Sequence, residues 1–258
     1  MKDRGAPRLT VVTFHAIEEA AAPIFFPPDL FRRGLARLAA AGFTTLDLAA
    51  AAQCLACGEP IPERSLVLTF DDGFRSVYTE AFPALRQHGF SATVFLRLDA
   101  TDANAGFLAT HGSAPERPLL RWHEIREMHR EGICFGAHSL SHSDLTGLDD
   151  DSVAHEMLAS KRVIEDALAT PVRSFAYPCG LYDGRSRRIA AANFHVACTD
   201  TLALASARSD RYALPRIDAY YLRSEATFPL LLSPILPLYI RTRALPRAIR
   251  RVLYGRNP

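Results

Sequence analysis

Short apolar runs alternate with longer amphipathic stretches along this chain. Leu9–Phe14, Ser65–Phe70, Ala92–Leu96, Ile133–Ala137, Phe175–Tyr177, Phe194–Cys198 and Tyr212–Ile217 are rich in β-branched, aromatic and aliphatic residues and read as strands. Between them the apolar spacing becomes helical. Leu30, Phe31, Leu35 and Leu38 mark one face of a helix over Pro28–Ala41, closed by Gly42. Phe43–Leu46 is strand-like, and Asp47 is placed to cap an Ala-rich helix ending near Cys57. Further helices are predicted at Val77–His88, Arg121–Glu131, Asp149–Ala169 and Asp183–Ala192, with a small, polar loop over residues 99–118. Repeated βα units imply parallel strands with helices outside, and about seven such units favour a closed α/β barrel over an open sheet.

In such a barrel the chemistry sits where strands end. Polar or turn residues fall there in five segments: His15, Asp71 with Asp72, His138, Pro178 with Gly180, and Arg216 with Asp218. The sharpest case is Thr69-Phe70-Asp71-Asp72-Gly73. Adjacent carboxylates repel, so burying both at a strand end needs a partner for each.

Length and composition fit one large core. The chain has 258 residues, 48% apolar and 22% charged, without an internal repeat. A net charge of +2 carries no whole-protein nucleic-acid signal. The five cysteines are odd in number and scattered, which suggests free thiols in a reducing compartment. Cys54 and Cys57 have redox-motif spacing but no thioredoxin-like surroundings, and read as small residues on a helix. The N-terminal apolar run is short and holds two threonines, so it reads as a strand rather than a signal peptide, and a cytoplasmic address is expected.

Charge is unevenly placed. After Glu225 there is no acid but six arginines, which leaves the rest of the chain at about −4 (+2 less +6). Residues 228–240, FPLLLSPILPLYI, are too short to span a bilayer and carry three prolines. An apolar segment followed by arginines suits an anionic membrane surface, and equally a tail packed on the domain with its arginines in water. The expected organisation is a barrel over 8–220 and an apolar, Arg-rich tail over 221–258, with peripheral contact at the inner membrane face through residues 226–258.

His138-Ser-Leu-Ser-His142 sets two imidazoles four residues apart just after a strand. Two histidines and one acid suit zinc, with Co2+, Ni2+ or Fe2+ as alternatives, and leave coordination positions open for water and substrate.

TFDDG, HSLSH and FAYPCG, in that order, resemble the first three motifs of the polysaccharide deacetylase family, the NodB-homology or carbohydrate esterase family 4 group. The resemblance implies a distorted (β/α)7 barrel that uses a divalent metal to remove acetyl groups from sugars. By motif position it implies Asp71 as general base and Asp72, His138 and His142 as metal ligands. The family's third motif usually carries an arginine and a tyrosine where this chain has Ala176 and Cys179. Cys179 is expected to supply a backbone N–H to the oxyanion. Arg216 is expected to replace the missing arginine in orienting the base, with Arg173 a weaker candidate. The family's usual acid, a histidine late in the barrel, has no counterpart, since His195 is the last histidine. His15 is expected to take that role, as in the permuted deacetylases acting on poly-N-acetylglucosamine.

Among the remaining histidines, His111 could line a substrate groove from the 99–118 loop, and the others read as solvated. Trp122 could stack on a sugar or pack at a helix start. The expected activity is hydrolysis of an N-acetyl group on a polysaccharide, glycolipid or lipid-linked glycan. The alternatives are a same-fold hydrolase of a non-sugar amide (deformylase-like), a metal-free glycoside hydrolase, and an inert carbohydrate-binding barrel.

Overall fold

The computed structural model describes residues 8–98 and 117–254, the last stretch, 247–254, as backbone only. Seven strands form the barrel: β1 Val11–Phe14, β2 Ser65–Phe70, β3 Thr93–Leu96, β4 Cys134–Ala137, β5 Ser174–Ala176, β6 Val196–Leu202 and β7 Leu214–Asp218. Each pairs in parallel with its successor, and β7 pairs back to β1, so the ring closes without an open edge. A short strand, Thr44–Thr45, lies alongside the start of β2. The closed parallel barrel with outer helices is the architecture the alternating pattern predicts.

Among the described residues seven α-helices surround it: α1 Pro28–Ala40, α2 Leu48–Ala56, α3 Phe82–Gln87, α4 Trp122–Arg130, α5 Asp150–Leu168, α6 Gly184–Asn193 and α7 Leu236–Tyr254. Of these, α2 and α5 begin at a capping acid. Asp47 accepts from Ala50 N–H at 2.7 Å, and Asp149 accepts from Ser152 N–H at 2.8 Å. The helix expected over Val77–His88 is not uniform. It opens with a π turn, Val77–Ala81, in which Phe82 N–H reaches back to Val77 O. Pro83 follows, and with no N–H of its own it cannot continue the regular ladder.

The segment after residue 220 packs on the barrel. Leu222, Phe228, Leu231, Leu236 and Ile240 are buried in the same cluster as Phe14, Phe31 and Phe70. Phe228 lies so close to α1 that a Cβ on Gly34 would meet its ring at 2.3 Å, so glycine is the residue that fits. The apolar run of residues 228–240 becomes a 3₁₀ turn, Phe228–Leu232, and then α7, whose first turn accommodates Pro237. The expected 99–118 loop and His111 lie outside the described residues, apart from 117–118.

Candidate active site

The strand ends deliver their polar residues to one cavity of about 390 Å³ at the C-terminal rim. His15, Asp71, Asp72, His138, His142 and Cys179 all line it, as does Arg216.

The two adjacent acids are separated by backbone geometry. Asp71 continues the strand direction, with its N–H donating to Phe14 O at 2.9 Å. Asp72 turns sharply, at φ 68°, and Gly73 follows at φ 67°, two consecutive left-handed residues that aim the carboxylates differently. Asp71 is 4% exposed, and Arg216 grips it with two hydrogen bonds, Nη1 to Oδ1 and Nη2 to Oδ2, both 2.7 Å. Arg216 is itself held by donation from Nε to Thr199 O at 3.0 Å. Burial alone would raise the Asp71 pKa, but the charge and hydrogen bonds of Arg216 outweigh it and hold the carboxyl well below the usual range. Arg216 is likewise raised, because the attraction of Asp71 overcomes its burial.

Asp72 has no such partner. Its Oδ1 is buried without a hydrogen bond and stands 3.6 Å from His138 Nε2 and 3.3 Å from His142 Nε2. His138 Nδ1 lies 2.7 Å from Ala176 O. A carbonyl only accepts, so Nδ1 donates to it, and Nε2 is the nitrogen turned toward the carboxylate. Burial, then the adjacent His138 ring, pushes His142 down to about 4, which keeps it neutral. One carboxylate oxygen and two imidazole nitrogens thus converge within 4.8 Å, and Asp72 Oδ1 has no hydrogen bond to either ring. That arrangement is unfavourable in itself and becomes favourable around a cation, so the donor set fits a divalent metal.

The loop carrying the histidines is built from outside the motif. Ser139 and His142 are also left-handed, at φ 65° and 56°. Glu156, on α5, accepts from Leu140 N–H and Ser141 N–H, both at 2.9 Å, and from Ser141 Oγ at 2.8 Å. Ser139 Oγ accepts from His142 N–H at 2.9 Å. Glu156 was not singled out in the sequence. Its one signal is an acid beside Val153 and Met157, the buried face of α5.

The third motif places Ala176 where an arginine was expected. Its side chain contributes nothing polar, but its carbonyl orients His138, and Arg216 supplies the guanidinium from β7 instead. Arg173 is exposed just before β5, at the opposite end of the barrel from the cavity. Cys179 follows at φ 53°, in a turn closed by Gly180 N–H to Tyr177 O at 2.8 Å. His15 ends β1 and faces the same cavity. Trp122 packs against the barrel core. Asp200 and Asp218 line the cavity as well, two carboxylates to which the sequence reading gave no role.

Comparison with known proteins agrees with this geometry. The family model described as polysaccharide deacetylase matches residues 58–196. The Streptococcus pyogenes deacetylase PplD, solved in complex with acetate, superposes with a TM-score of 0.74 at 26% identity, over 83% of this chain and 93% of that one. YxkH of Bacillus subtilis (strain 168) is 24% identical over 218 residues, 84% of this chain and 73% of its own. The poly-β-1,6-N-acetyl-D-glucosamine N-deacetylase of Escherichia coli (strain K12) is 35% identical over 78 residues, which are 29% of this chain and 12% of that much longer protein. A seven-stranded barrel whose motif residues meet in one rim cavity, matched across more than half its length by the family model, belongs to the polysaccharide deacetylase family, hydrolases acting on carbon–nitrogen bonds.

Proposed function

We propose that this cavity hydrolyses an N-acetyl group on a sugar of a polysaccharide, glycolipid or lipid-linked glycan, with one divalent metal, Zn2+ first, held by Asp72, His138 and His142. The observation that carries the reading is the unpartnered Asp72 Oδ1 facing two imidazole nitrogens, beside a neighbouring carboxylate locked by an arginine. Bound there, a divalent ion supplies Lewis acidity, polarising the acetyl carbonyl and making water easier to deprotonate.

The chain's own groups do the rest. Asp71 takes a proton from the attacking water. Arg216 keeps it ionised at any working pH, which also makes it a weak base, so what Asp71 contributes is position rather than basicity. The Cys179 backbone N–H is the proposed donor to the oxyanion, a role that does not depend on the side chain. His15, across the cavity, is the proposed acid that protonates the leaving amine, because it lines the cavity from the strand beside Asp71. The activity named for the Escherichia coli relative supports N-acetylated glucosamine polymers as the first substrates to try.

The test is a mass-spectrometric screen for acetyl loss across N-acetylated oligosaccharides and lipid-linked sugars, with chelated and zinc-restored protein. Acetate release that disappears with chelator and returns with zinc is expected. Turnover confined to formyl or non-sugar amides, or indifferent to chelation, would overturn the reading.

A further inference from the structure

The C-terminal segment carries an exposed face that the catalytic cavity does not use. Seven large apolar side chains are exposed among the described residues, and four of them, Leu232, Ile235, Leu238 and Leu245, fall within fourteen positions. Leu238 and Leu245 are 66% and 67% exposed on α7. They are seven residues apart, two helical turns, and so share one side of the helix. The opposite side is spent on the barrel, with Leu236 and Ile240 buried. Beside this stripe runs a groove of about 730 Å³ between α7 and residues 202–206. Its walls are mostly apolar, and its lining includes Arg8 and Arg241 but no acid.

The charge around this face decides what it fits. No acid follows Glu225, and six arginines do. Arg241 and Arg243 are exposed on α7 among the leucines, with the Arg243 guanidinium over the Tyr239 ring at 5.2 Å. A second copy of the chain would have to set this same face against itself, arginine toward arginine, because a two-fold interface is self-complementary. A nucleic acid would meet the arginines but leave the leucine side chains in water. An interface of anionic lipid answers both features, taking the leucines below the headgroups and the arginines among the phosphates. No helix among the described residues is long and apolar enough to cross a membrane, so the contact is one of lying on the surface.

We propose that α7 and the 232–245 face dock the enzyme on an anionic lipid bilayer. The docking is independent of what the cavity hydrolyses. Leu202, at one end of the groove, is in register with Arg216, the residue that grips Asp71. Docking therefore holds the catalytic barrel at the lipid surface, where a membrane-attached glycan would be presented.

The experiment is co-sedimentation of the full chain with phosphatidylcholine vesicles and with vesicles doped with phosphatidylglycerol. Binding at least about tenfold tighter to the anionic vesicles is expected, since the exposed arginines add an electrostatic attraction that the uncharged surface lacks. The double variant Leu238→Asp/Leu245→Asp, with both positions exposed, should keep its circular dichroism and melting temperature and lose binding to vesicles of either kind. Arg241→Glu/Arg243→Glu should erase the anionic preference. The proposal is overturned if neither vesicle binds the protein, or if the leucine variant binds as well as the parent. It is also overturned if light scattering without lipid shows a dimer that the leucine variant breaks.

Discussion

Both ends of the barrel gather the same residue types and put them to opposite use. At the N-terminal end, Asp47, His129 and Cys134 share a pocket of about 200 Å³. All three have internal partners. Asp47 Oδ1 caps α2, and its Oδ2 accepts from Cys134 Sγ at 3.3 Å. His129 has Ile133 O at 3.3 Å and Thr170 Oγ1 at 3.2 Å. Burial and the neighbouring Asp47 push the Cys134 thiol up to about 12, so it stays protonated and inert. At the C-terminal rim the corresponding types, Asp72, His138, His142 and Cys179, leave acceptor atoms facing one another and hold strained backbones. Of the six non-glycine residues with positive φ among the described residues, four, Asp72, Ser139, His142 and Cys179, build that rim. The lesson is that residue type does not make a site. What marks one is polar atoms the fold declines to satisfy, held in place by neighbours that are themselves fully satisfied.

Removing a group should therefore be costly to chemistry at one end and only to stability at the other. The largest effect is expected for Asp72→Ala or His138→Ala, which should strip stoichiometric metal and reduce turnover to background, as read by elemental analysis and acetate release. Full metal content in both variants would sink the ligand assignment. Asp71→Asn should keep the metal and lower kcat by roughly 10²–10⁴-fold, the usual range for a proton-transfer group. A normal kcat would move the base elsewhere. His15→Ala should lower kcat by on the order of 10²-fold with metal content unchanged. If that variant is silent, the acid is another residue.

The rim should also make the metal-free protein sensitive to acid. His142 sits at about 4 in the fold against an ordinary value near 6.5, so on acidification the unfolded chain takes up this proton first. Stability present above pH 6.5 should then be lost progressively toward pH 4, and bound zinc should raise stability while steepening its fall with acid, because protons compete with the metal for the same nitrogen. Melting curves with and without metal check both signs. The smallest effect belongs to the other end, where Asp47→Ala should cost about 1 kcal/mol through the lost cap and leave kcat untouched. A loss of turnover there would erase the contrast between the two rims.

Much of the architecture was legible because its causes are local. Period-2 and period-3.6 patterning, Asp47 as a cap, and polar residues at strand ends follow from short stretches of chain. The first two motifs, each a short stretch, hold Asp71, Asp72, His138 and His142, which the fold brings to one cavity. The rest depended on residues distant in sequence. Arg216 is the preferred replacement for the missing arginine, but its bidentate grip on Asp71, 145 positions away, appears only once β7 and β2 are brought together. The support of the histidine loop by Glu156 needs the position of α5 against β4, which no motif encodes. The regular helix expected over Val77–His88 fails at its first turn, where the fold opens a π turn ahead of Pro83.

The sequence by itself determined the alternation of strands and helices, the closed parallel barrel and the identity of the groups at its rim, because hydrophobic period and turn chemistry act over a few residues. Only the tertiary structure decided how Asp71 is locked, by two hydrogen bonds from Arg216, and that Asp72 Oδ1 is left without one. It also decided which half of the C-terminal apolar run is buried and which is exposed. Those outcomes depend on burial and on partners from other strands, and both arise only once the ring has closed.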